Sequence, residues 1–156
     1  LWPTPAVRGA LSAEQGRWCW PAGVALTPAD NLHLTLHFIG AIPAVRLPYV
    51  MQGLRISAPR FTLELDAPAV WPNRCAVWCA SQTPTALAAL HGTLAQALCA
   101  LDLPVESRPF RPHVTLARHA AGATPPMACA ALHWPVRGFG LVQSAAGRYM
   151  PIARYR

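Results

Sequence analysis

The chain has 156 residues, of which 53% are apolar and only 12% charged. That length suits one domain with a substantial buried core. No apolar run approaches the roughly 20 residues that span a bilayer, and no leader-like segment opens the chain, so a soluble, cytoplasmic protein without a membrane partner is expected. The formal charge is +7 and every positive side chain is arginine. A codon bias accounts for the missing lysines, but the excess of base over acid favours anionic partners, and the planar guanidinium suits phosphate.

In chain order, "LWPTPAVRGALSAEQ" reads as a strand end followed by a helix. Thr4 is a natural N-cap, Pro5 fits the first helical turn, and Val7, Ala10 and Leu11 keep helical spacing. "WCWPAGVALTPAD" is a loop leading to "NLHLTLHFIG", a strand. "IPAVRLPYVMQGL" is a helix that Pro48 weakens, and "RFTLELDA" and "CAVWCAS" are strands joined through the turn "WPNR". "TPTALAALHGTLAQALCAL" has the strongest helical pattern. Thr83 can cap it, Pro84 can start it, and Leu87, Leu90, Leu94, Leu98 and Leu101 line one face. After "DLPVESRPFRP" comes the strand "HVTLAR", then the loop "AAGATPPM". "RGFGLVQSA" and "RYMPIARYR" form a closing hairpin around Ala146 and Gly147. Helices and strands mix without βαβ alternation, so an α+β fold is favoured.

Two stretches stand out: His33-Leu34-Thr35-Leu36 and His113-Val114-Thr115-Leu116, about half the chain apart. Their matching order of elements suggests two similar lobes within a single domain, 1–156. Side chains two apart on a strand share a face. His33 and Thr35 therefore point one way, and Leu32, Leu34, Leu36 and Phe38 the other. His113 and Thr115 oppose Val114 and Leu116 in the same manner. Two such strands side by side would aim two imidazoles and two hydroxyls into one cleft. Imidazole serves as acid or base near neutrality, displacement at phosphorus needs an incoming and a leaving oxygen roughly in line, and Thr hydroxyls can donate to phosphate oxygens. One His-x-Thr in a strand is ordinary; two matching copies are rare and favour catalysis.

Arg118, five residues after His113, can reach a phosphate, and Arg111 and Phe110 are candidate substrate contacts. His37 reads as solvated, His91 as a surface residue of its helix, and His119 and His133 as bystanders. Trp18, Trp20 and Trp71 could stack a base, but packing roles suit them better. Cys19, Cys75, Cys79, Cys99 and Cys129 are an odd set without metal-ligand spacing, and the acidic residues do not cluster. Free thiols in a reducing compartment and chemistry without metal or cofactor are expected.

"HLTL" and "HVTL" resemble the two signature motifs of the 2H phosphoesterase superfamily. The flanks, "NLHLTLHFIG" and "FRPHVTLAR", resemble the RNA 2′,3′-cyclic phosphodiesterases, also called 2′-5′ RNA ligases. The resemblance implies a bilobal α+β fold with mainly antiparallel sheets, outer helices and a central cleft. It implies metal-independent hydrolysis of RNA ends or nucleoside 2′,3′-cyclic phosphates to 2′-phosphates by a monomer. His33 would be the proton donor, His113 the proton acceptor, and Thr35, Thr115 and Arg118 the phosphate contacts. Family members usually carry a full strand ahead of the "LWP" stretch, which this chain lacks, and the loop before the first motif is long. End-joining through a 2′-5′ bond is the reverse reaction. A binding module without turnover is the alternative of another class, although binding alone does not require two titrating groups.

Overall fold

The computed structural model describes residues 1–156. It contains three α-helices, α1 (Pro5–Gly16), α2 (Leu47–Gly53) and α3 (Thr85–Ala100), and eight strands. The strands are β1 (Ala25–Leu26), β2 (Phe61–Leu65), β3 (Ala67–Val70), β4 (Ala76–Cys79), β5 (His113–Arg118), β6 (Leu132–Val136), β7 (Phe139–Ala145) and β8 (Arg148–Tyr155). All strand pairs are antiparallel, which makes the fold α+β. A four-stranded sheet runs β1-β5-β4-β3, and β2-β6 and β7-β8 form two-stranded sheets. No helix is long and apolar enough to cross a membrane.

The helices follow their sequence signals with shifts of about a turn. Thr4 caps α1 by accepting from the Val7 N–H at 3.4 Å, with Pro5 in the first turn. Thr83 does not cap α3. Pro84 takes the cap position with extended backbone (ψ 137°), and its carbonyl accepts from Leu87 and Ala88. Pro48 lies in the first turn of α2, where its missing N–H costs nothing. A separate 3₁₀ turn, Ala44–Arg46, precedes it in place of the longer helix expected there. Leu87, Leu90, Leu94, Leu98 and Leu101 are all buried in one core with Leu11, Leu32, Leu34, Leu63, Val114 and Trp134.

Three strands go beyond the sequence reading. β1 is a two-residue pairing with Arg118 and Ala117 inside the expected loop. β3 contains Pro68 and β6 contains Pro135, residues that argue against a strand read in isolation. Both strands sit at sheet edges, where a missing N–H is tolerated. Conversely, the first His-Thr stretch is not a regular strand. Its backbone pairing is a single exchange with Leu1: the Leu34 N–H donates to the Leu1 carbonyl at 3.1 Å and the Leu1 amine donates back. Alternation still holds through Leu32, His33, Leu34 and Thr35, with the leucines fully buried. It ends before Phe38, which is 76% exposed rather than in the core. The closing hairpin forms as expected, and Ala146 (φ 50°) and Gly147 (φ 74°) give the left-handed pair that a tight two-residue turn requires.

Candidate active site

β5 is an inner strand of its sheet, and β4 lies beside it with Cys79 opposite His113 and Val77 opposite Thr115. His113 and Thr115 therefore rise from a floor made by Cys75, Val77 and Cys79. The register then slips: Ala76 pairs with Ala117, so one step on β4 spans two residues on β5. This is a β-bulge, and it reverses the facing of every later side chain. Arg118, at odd spacing from His113, is thereby returned to the cleft face, where its Nη1 lies 3.8 Å from Cys75 Sγ. The bulge is pinned from below. The carbonyl of Leu116 accepts from the buried Gln15 amide at 2.7 Å and from the Thr27 N–H at 2.8 Å.

The two histidines are held alike. His33 Nδ1 lies 2.6 Å from the Asn31 carbonyl, and His113 Nδ1 lies 2.6 Å from the Arg111 carbonyl. A carbonyl only accepts, so Nδ1 carries the hydrogen in both rings and Nε2 is the working nitrogen. Nε2 of His33 lies 3.2 Å from Thr35 Oγ1. Both imidazoles are held below their ordinary pKa, chiefly by burial, with the carbonyl bonds opposing. His33 is also lowered by the nearby positive charges of His113 and Arg118, which ties the two motifs together electrostatically.

Aromatic rings wall both halves. Trp2 stacks on His33 (centroids 5.4 Å, 16°), and Tyr149 from β8 meets the same ring at 4.6 Å. Asn31 donates to the Gly147 carbonyl at 2.9 Å, which fastens the hairpin tip beside the first motif. On the other side Trp71 meets His113 at 4.4 Å, and the Arg111 guanidinium lies 5.1 Å from the Trp71 centroid. Trp2 and Tyr149 escaped the sequence reading as site residues, and Trp71, weighed as a base-stacking ring but assigned to packing, lies against His113. The periodicity of β8 was visible, but its neighbour was not, because that contact is non-local. Trp18 and Trp20 stack on each other away from the histidines, as packing residues do.

Of the expected contacts, His33 and Thr35 line a cavity, and His113, Thr115 and Arg118 lie on β5, with His113 and Arg118 near enough to His33 for their charges to lower it. Phe110 is turned the other way and stacks on His91 (4.0 Å, 15°). His91 is not a free surface residue and His37 is not merely solvated, since the two rings also stack at 4.0 Å. His133 pairs with Glu64 at 3.6 Å on the surface, and His119 is exposed. No three His, Cys, Asp or Glu side chains converge as a metal cage. A cavity of about 810 Å³ opens beside His33 and Thr35 and runs between residues 36–42 and β7 toward Leu54, Leu94 and Leu98. Its lining is mostly apolar, which does not suit a buried anion.

Two imidazoles, two threonine hydroxyls and an arginine are groups that can carry out acid–base chemistry on a phosphoester. Comparison with known proteins agrees. A family profile described as the 2'-5' RNA ligase superfamily matches residues 22–148, and the chain belongs to that superfamily. It is 36% identical to an RNA 2',3'-cyclic phosphodiesterase of Thermus thermophilus, over 88% of this chain and 76% of the relative. It is 35% identical to the Escherichia coli protein of the same description, over 81% and 76%. The fold superposes on apo E. coli LigT with a TM-score of 0.81 at 28% identity, covering 98% of this chain and 91% of LigT. LigT has also been solved with 3'-AMP and with phosphate.

Proposed function

We propose that this chain hydrolyses 2′,3′-cyclic phosphates, at RNA ends or on nucleosides, to 2′-phosphates. The observation that carries it is the matched pair of imidazoles, each with Nδ1–H on a carbonyl two residues back, which leaves Nε2 of both rings to take or give a proton. Water attacks phosphorus as His113 Nε2 takes its proton. The bond from phosphorus to the 3′ oxygen breaks, and His33 Nε2 gives that oxygen its proton. Thr35, Thr115 and Arg118 hold the non-bridging oxygens. Exchange with solvent then returns each histidine to its starting state. The relatives described as cyclic phosphodiesterases support the substrate class. We read the chain as one domain of two lobes, each supplying one His-Thr segment. Both histidines come from the same chain, so a monomer suffices. Five free cysteines suit the reducing cytoplasm. Joining RNA ends through a 2′-5′ bond is the same displacement with a 5′ hydroxyl attacking phosphorus in place of water, and abundant water favours hydrolysis.

The test is turnover of 2′,3′-cyclic mononucleotides in excess chelator, with product analysis. Activity should persist with chelator, and His33→Ala or His113→Ala should each lower the rate on the order of 10²–10⁴-fold without unfolding the protein. Near-normal turnover in both variants would refute the mechanism. Binding of the nucleotide without turnover in the unaltered chain would favour a binding module.

A further inference from the structure

His37, His91 and Phe110 form a continuous stack of three rings, with His91 in the middle at 4.0 Å from each neighbour. Each ring comes from a different segment. His37 lies four residues after His33, His91 is on α3, and Phe110 lies three residues before His113. The contact is reinforced by a bond to backbone. His37 Nε2 lies 2.9 Å from the His91 carbonyl, to which it donates. Resting on the functional reading above, we propose that this stack is an acid-sensitive brace, with His37 and His91 as positioning residues that hold the two His-Thr segments at fixed separation.

The stack adds a ring contact to the shared core, in which Leu32 and Leu34 of the first segment lie with Val114 and Leu116 of the second. The first motif has one backbone exchange, with Leu1, and the approach to the second motif carries no regular structure before His113. Stacked neutral rings attract, whereas two imidazolium ions face to face repel. Few other charges intervene. Cys99 is the only other ionisable side chain in α3. On the loop carrying Phe110, Arg108 is paired with Glu106 and Arg111 lies over Trp71. On the first segment the next ionisable group is His33. Burial lowers the His91 pKa, with the His37 charge adding to it. A histidine lowered on folding stabilises the fold above its unfolded pKa, and that contribution is lost as pH falls below it. The brace is therefore firm at neutral pH and weakens in acid.

The test compares His91→Phe, which keeps a ring but not the proton, with His91→Ala, which removes both. At neutral pH, His91→Phe should retain kcat/KM, and His91→Ala should lose on the order of tenfold through misplacement of the catalytic pair. On the acid side the unaltered enzyme should fall more steeply than one titrating base allows, and His91→Phe should fall with the single-base slope. Normal neutral activity in His91→Ala, or an unchanged steep acid limb in His91→Phe, would overturn the proposal. Should the unaltered chain not turn over cyclic phosphates, the functional reading fails and thermal unfolding still judges the brace. Between about pH 7.5 and about 5.5, His91→Phe should then lose less Tm than the unaltered chain; equal losses would refute it.

Discussion

His33 and His113 are both held below the ordinary imidazole pKa, first by burial. The consequences differ with the job. A lowered pKa keeps His113 neutral and ready to accept a proton, but it makes His33 a scarcer and stronger acid. Since kcat/KM reports the free enzyme, both limbs of its pH bell should lie below about 6.5, as macroscopic values of the coupled pair. A bound cyclic phosphate brings a negative charge that favours both imidazolium forms, so the kcat profile should lie at higher pH than that of kcat/KM. Initial rates across pH, measured where chemistry limits turnover, check both statements. A kcat/KM optimum above neutrality would show that the cleft does not lower the pair.

Strand β5 places three functional side chains on one face only because it contains an extra residue. Deleting Leu116 would remove the bulge and leave the arginine four residues after His113, on the same face by plain alternation. Such a deletion should lower Tm, because it removes a fully buried leucine and the carbonyl that Gln15 and Thr27 hold, while the arginine keeps its facing. Arg118→Ala should instead leave Tm nearly unchanged while raising KM. Unfolding curves and steady-state kinetics of the two variants separate register from charge. The bulge also shows what the sequence withheld. Alternation exposed His113 and Thr115, and two matching motifs exposed the chemistry. The odd spacing of Arg118 made sense only with the register of β4 in view. β3 and β6 were hidden by their prolines, whose harmlessness depends on edge positions that exist only in the assembled sheets. Trp2, Trp71 and Tyr149 join the site through partners distant in sequence, which local periodicity does not encode.

At the scale of the molecule, the two imidazoles of the proposed acid–base pair are near-equivalents: same tautomer, same carbonyl anchor, a threonine two residues on. A pair this even-handed carries no instruction about regiochemistry. A ribose turned to offer its other ring oxygen to the acid would be opened by the same groups and would yield the 3′-phosphate. Any preference for one isomer must come from the unlike walls, Trp2 and Tyr149 around His33 and Trp71 with Arg111 around His113. Trp71→Ala should therefore release a mixture of 2′- and 3′-phosphates where the unaltered enzyme releases the 2′ isomer, with phosphorus NMR of the products as the measurement. Isomeric purity would then be a property of the aromatic walls, and it could be lost by a protein whose acid and base are both intact.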